Sequence, residues 1–135
     1  MFDAYMRMAA YLLVAWLFGG MLLFSAGFAA FLFKHLSPAD ARMLLRKVFP
    51  PFYLFVIFSS GLAIILFWHS DSLNAALMAF IMLTTLAGRQ LLMPAINQAT
   101  DLGLRNRFVW LHAFSVVLTL GHIVITATVL GRAVT

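Results

Sequence analysis

Four apolar runs, at about residues 9–33, 50–68, 74–94 and 108–130, constrain this chain more than any other feature. Each is near the roughly 20 residues that a helix rising 1.5 Å per residue needs to cross a hydrocarbon layer of about 30 Å. Only 10% of the residues are charged, against roughly 25% in a soluble domain. The predicted fold is therefore all-α. It is a single integral membrane domain, 1–135, built as an antiparallel bundle of four transmembrane helices. A short amphipathic cytoplasmic helix is expected between helices 1 and 2. The first run is too long for the core of a cleaved signal peptide, so that helix should be retained. Cysteine is absent, which excludes disulfides, Cys-ligated zinc and a thiol nucleophile. A net charge of +5 would suggest nucleic acid in a soluble protein. In a membrane protein it reflects basic residues gathered on one side of the bilayer, and no nucleic-acid partner is expected.

The last run carries the main functional signal. His112, Ser115, Thr119, His122 and Thr126 follow one another at steps of three, four, three and four residues. At about 100° per residue they share one helix face, and Arg105 extends it below the helix. Only Thr128 points elsewhere. Lipid offers no hydrogen-bond partner, so such a seam should face protein or a water-filled cavity. Arg89, the one charge well inside an apolar span, joins it as a candidate. Helix 1 carries small residues on one face, Ala15, Gly19, Ala26 and Ala30, with Gly20 and Gly27 to one side. That pattern predicts close packing within the bundle, or a homodimer contact. In the first connection, Ser37, Pro38 and Asp40 form a helix-start signal. Arg42, Arg46 and Lys47 follow beside Met43, Leu44 and Val48. A helix of that kind lies in the headgroup layer and contacts anionic lipid. Helix 2 is expected to begin at Pro50-Pro51.

Three stretches carry a family resemblance. The first is Leu32-Phe33-Lys34-His35-Leu36 followed about ten residues later by Lys47-Val48-Phe49-Pro50. The second is Leu104-Arg105-Asn106-Arg107-Phe108 with Leu111-His112-Ala113-Phe114-Ser115. The third is Met93-Pro94-Ala95-Ile96-Asn97. Together they resemble the transmembrane-protein-205-like family, catalogued as domain of unknown function 4149. The resemblance implies a four-helix membrane protein and little chemistry. Family members often carry Asn four residues after the helix 4 serine, where this chain has Thr119, which weakens any role needing an amide there. The architecture is more distantly similar to small four-helix proteins linked to copper handling and haem metabolism.

Several chemistries can be weighed on the residues. His112 and His122 lie ten residues apart on one helix, about 15 Å, so they cannot share one haem iron. His35 and His112 lie near the same interface and are the only histidine pair suited to haem b. Met78, Met82 and His122 form a candidate Cu(I) set. The hydroxyls and imidazoles of the seam suit a passive relay or small-solute path. No carboxylate lies within a span, because Asp3, Asp40, Asp71 and Asp101 are all near interfaces, and this argues against a proton-driven pump. Interhelical glue explains the hydroxyls, each worth about 1 kcal/mol or less. The His112–Ser115 pair has neither an acid at its depth nor an oxyanion turn, so hydrolysis finds no support. The leading expectation is a non-enzymatic accessory or small-ligand-binding bundle, within a homo-oligomer or a larger membrane complex. The alternative is a haem- or copper-binding protein.

Orientation follows from the basic residues. Lys34, Arg42, Arg46, Lys47, Arg89, Arg105 and Arg107 belong to one side, and Arg7 and Arg132 to the other. The positive-inside rule places both odd-numbered connections in the cytoplasm and both termini outside, as in a bacterial inner-membrane protein. A reporter enzyme active only in the periplasm should therefore be active when fused after Thr135; an inactive, intact fusion would invert the topology.

Overall fold

A computed structural model describes residues 1–135 and is all-helical. Four helices are long and apolar enough to cross a membrane: α1 (Phe2–His35), α2 (Pro38–Phe67), α3 (Ser72–Asp101) and α4 (Arg105–Gly131). Short connections make successive helices antiparallel. Each packs on the next, and α4 closes the ring against α1. The connections are held by local chemistry. Ser37 Oγ accepts from the Asp40 N–H at 3.2 Å, and Asp71 Oδ1 accepts from the Asn74 N–H at 2.9 Å. Beyond α3, Gly103 adopts φ 65°, a left-handed conformation that glycine enters without strain. There the Leu104 N–H reaches the Ala99 carbonyl at 2.9 Å and closes the helix end.

The helices run further than the apolar pattern alone implies. Residues 1–8 contain no glycine or proline, so α1 starts at Phe2. The separate amphipathic helix is not observed. Residues 38–48 form the first turns of α2, and Pro50 and Pro51 lie inside that helix. Each proline removes one backbone bond, but apolar packing spans the weak point. Ala41 and Leu45 are buried against Leu32 at the end of α1, with Phe28 and Phe49 beside them. The segment thus continues along α1. In α3, Pro94 likewise fails to end the helix. A π-helical turn, Gly88–Leu92, precedes it and widens the helix where the proline ring would crowd the preceding carbonyl. A second π-helical turn, Leu23–Phe28, lies in α1, where the Ser25 hydroxyl donates back to the Met21 carbonyl at 2.7 Å.

The small-residue face of α1 is not its packing face. Ala15, Gly19, Ala26 and Ala30 are exposed, and a methyl built on Gly19 meets nothing. The core face is Ala10, Val14, Leu17 and Met21. Larger side chains bury more apolar area in a bundle of this spacing. Close approach occurs at Gly20 instead, where an added methyl would lie 2.6 Å from the Phe55 ring.

Two polar links tie the ends of the bundle. At one end Arg46 grips Asp101 with two hydrogen bonds of 2.8 Å. Arg46 is therefore held by the protein's own ion pair, whereas Arg42 and Lys47 stay exposed. At the other end Arg132 donates from Nε to Asn74 Oδ1 at 3.0 Å and from Nη2 to Asp71 Oδ2 at 3.1 Å. Asn74 is fully buried and donates from Nδ2 to the Tyr11 hydroxyl at 3.3 Å. One cluster thus joins α1, the α2–α3 turn and the end of α4. Partial burial pushes the Asp71 carboxyl up, but the Asn74 N–H and the Arg132 guanidinium outweigh it, and the group sits below its ordinary value. A depressed carboxyl stabilises the fold above the ordinary carboxylate range and loses that contribution as pH falls through the folded value. Asp71→Asn should lower the thermal midpoint in detergent at neutral pH. It should also flatten the decline that the wild type shows below about pH 4.

Candidate functional site

The seam of α4 changes character along its length. His122 and Thr126 are buried, Ser115 and Thr119 are half-buried, and Arg105 and His112 are exposed. The interior part opens on a cavity of about 10 Å³ lined by Tyr53 from α2, Thr85 from α3, and Ser115, Thr119 and His122 from α4. Met21, Phe52, Val56 and Leu118 complete the wall. A cavity of roughly 10–15 Å³ admits one water-sized molecule. Met21, Val56, Thr85 and His122 lie ten or eleven residues from Tyr11, Phe67, Asn74 and Arg132 respectively. That is about 15 Å along each helix axis, or half the hydrocarbon thickness. The cavity therefore sits near the middle of the spans.

The hydrogen bonds fix what the cavity offers. Thr84 Oγ1 donates to the Phe80 carbonyl at 2.7 Å and lies 2.8 Å from His122 Nε2. With the Thr84 proton on the Phe80 carbonyl, the imidazole donates from Nε2. In that arrangement His122 is the Nε2–H tautomer, and no hydrogen bond within the protein engages Nδ1. Six of the seven threonines donate to a carbonyl three or four residues back: Thr84, Thr100, Thr119, Thr126, Thr128 and Thr135. Thr85 is the exception. Its hydroxyl is buried without a partner and lines the cavity. Tyr53 turns its phenol toward Ser115. The site thus presents an unpartnered hydroxyl from α3 and the imidazole of His122 from α4.

Arg89 lies in the π-helical turn of α3, four residues beyond Thr85. It is half-buried, and its Nε is a second buried atom without a partner. Gly88, beside it, is buried, and a methyl there would lie 3.8 Å from the Tyr53 ring. π-Helical turns are frequent at functional sites, and this one adjoins the cavity wall.

The metal and haem sets do not assemble. Met82 and Thr84 are two residues apart on α3, about 200° around the helix. His122 bonds Thr84, whereas Met82 Sδ faces Gly61 on α2. Met78 is fully buried in the apolar core. His122, Met78 and Met82 therefore do not converge. His35 stacks on Phe31 with ring centroids 4.5 Å apart, and His112 on Phe108 at 5.4 Å. Both imidazoles are exposed, each held by its own helix. No group of three or more His, Asp or Glu is placed to hold a metal ion.

Tyr53, Thr84 and Thr85 were not legible as site residues, because nothing in the sequence sets the rotation of α2 or α3. The adjacent hydroxyls Thr84-Thr85 within an otherwise apolar stretch were the available signal.

Four membrane-spanning helices with polar side chains turned inward from three of them define an integral membrane protein. The model of the family described as Domain of unknown function (DUF4149) matches residues 12–105, and the chain belongs to that family. No curated protein and no solved structure matches it. The matched region holds the α1, α2 and α3 contributions to the cavity and stops at the first residue of α4.

The two neighbouring threonines should behave oppositely. Thr84→Val strips His122 of its partner and should cost about 1–3 kcal/mol. Thr85→Val removes an unpartnered hydroxyl and should leave stability unchanged or raised. Thermal unfolding of both variants in detergent checks this; equal losses would show that Thr85 is bonded within the fold.

Proposed function

We propose that the chain is a non-enzymatic membrane bundle, an accessory or small-ligand-binding protein, whose interior site is the cavity between Thr85 and His122. The observation that carries this reading is the Thr85 hydroxyl, buried and unpartnered opposite an imidazole acceptor on another helix. A buried polar group without a partner costs about 1–3 kcal/mol, so a small molecule that both donates and accepts is favoured there. Tyr53 and Ser115 supply further polar contacts, and Arg89 supplies a cation one turn away. The volume suits a water-sized ligand and no larger one. Kinship with transmembrane-protein-205-like proteins is part of this proposal and rests on the three sequence stretches described above. So do a bacterial inner-membrane location and termini outside the cytoplasm, which rest on the basic residues. Exposed Arg42 and Lys47 are the groups suited to anionic lipid on the cytoplasmic side.

A high-resolution structure of the protein should place a small hydrogen-bonding molecule within reach of Thr85 Oγ1 and His122 Nδ1, and Thr85→Val should lose it. Protein purified from metal-replete cells should show no Soret band and no stoichiometric copper. A Soret band abolished by His112→Ala, or copper abolished by His122→Ala, would move the assignment to the haem- or copper-binding alternative. A cavity closed by the Thr85 hydroxyl bonding back to its own helix would leave only a packing role.

A further inference from the structure

A second cavity lies at the opposite end of the bundle from Arg46 and Asp101. A cleft of about 400 Å³ opens between the first turns of α1 and the segment following α4. Its α1 wall is Ala4, Arg7, Met8 and Tyr11, which share one stripe at helical spacing. Facing them are Arg132, Ala133 and Thr135. Nε and Nη2 of Arg132 are engaged with Asn74 and Asp71. Those bonds fix the plane of the guanidinium and leave Nη1 for a further acceptor. Arg7 is exposed and forms no ion pair, even with Asp3 one turn before it. The Tyr11 hydroxyl accepts from Asn74 Nδ2, which leaves its own proton to donate.

The cleft therefore brings together two guanidinium groups and a phenol, all able to donate. Of the carboxylates at this end, Asp71 is committed to Arg132 and to the Asn74 N–H, and Asp3 forms no ion pair with Arg7. Planar guanidinium groups pair best with phosphate and carboxylate oxygens. The surroundings favour phosphate. Phe2, Tyr5 and Leu12 on α1 and Trp68 beside the α2–α3 turn are exposed, and Trp and Tyr at a helix end mark the membrane interface. We propose that this cleft is an oxyanion site for a phosphate group, held by Arg7 and Arg132 with Tyr11 as a third donor. It is distinct from the interior cavity and from the basic edge of Arg42 and Lys47. The phosphate belongs either to an anionic lipid headgroup or to a small soluble phosphate.

The full chain in phosphatidylcholine nanodiscs, with or without phosphatidylglycerol, tests this by thermal unfolding and by native mass spectrometry of retained lipid. Detergent-solubilised protein with inorganic phosphate forms the other arm. Arg7→Gln leaves the Arg132–Asp71–Asn74 links intact, so its midpoint in phosphatidylcholine should match the wild type. Its retained phosphatidylglycerol should fall roughly tenfold, the loss expected for one charge-assisted contact. Arg7→Lys should retain an intermediate share, and Arg42→Gln/Lys47→Gln should retain the Arg7-dependent share in full. Stabilisation by phosphatidylglycerol alone identifies a headgroup, and stabilisation by inorganic phosphate as well identifies a small oxyanion. Equal retention by wild type and Arg7→Gln would overturn the proposal, as would a loss confined to the Arg42→Gln/Lys47→Gln variant.

Discussion

Polar groups carried into the hydrocarbon by these helices find partners within the protein, with Thr85 Oγ1 and Arg89 Nε the buried exceptions. Short hydroxyl side chains solve this locally. Thr119, Thr126, Thr128 and Ser60 all donate to their own helix and need nothing from a neighbour. Larger polar groups cannot. His122 must reach Thr84 on α3, and buried Asn74 must reach Tyr11 on α1 while accepting from Arg132 just beyond α4. These cross-helix bonds pin rotation and depth, because a displaced helix would leave an imidazole or an amide unpaired in an apolar medium. Apolar packing around Val14, Leu17, Met78 and Ile81 is compatible with several rotations. The polar bonds distinguish among them.

The prolines illustrate how tertiary packing overrides local preference. Pro50 and Pro51 each remove a backbone bond from α2, yet the helix runs on because Ala41 and Leu45 are buried against α1 beyond them. Pro94 is accommodated differently, by the π-helical turn Gly88–Leu92. That turn also carries Arg89 and lies next to the wall of the interior cavity. A structural solution to proline crowding and the placement of an intramembrane cation are thus the same feature.

The interior cavity combines a locked group with a free one. Thr84 holds the imidazole of His122 by Nε2 and leaves Nδ1 available, while Thr85, one residue on, leaves its hydroxyl unpaired. A site arranged in this way is polar, small and near mid-membrane. It suits a molecule that hydrogen-bonds in both directions, and it has no room for a macrocycle. The cleft at the far end differs in size and place: it is wider, lies at the end of the bundle and carries Arg7, Tyr11 and Arg132 among apolar neighbours.

Membrane class and helix number were readable from the chain. Hydropathy over about 20 residues and a 3.6-residue period are local properties. Of the seam read from His112 to Thr126, only the C-terminal part is buried by other helices and His112 is exposed, since coverage depends on which neighbours arrive. The packing face of α1, the continuity of α2 through Pro50 and the partner of Arg46 were decided by the assembled bundle. So were Tyr53 and Thr85 as cavity residues, Thr84 as the partner of His122, and the meeting of Tyr11, Asn74 and Arg132. The physical reason is common to all of them. A helix that is apolar all round carries little record of its own rotation, so the residues that face one another emerge only when the polar groups of all four helices are satisfied together.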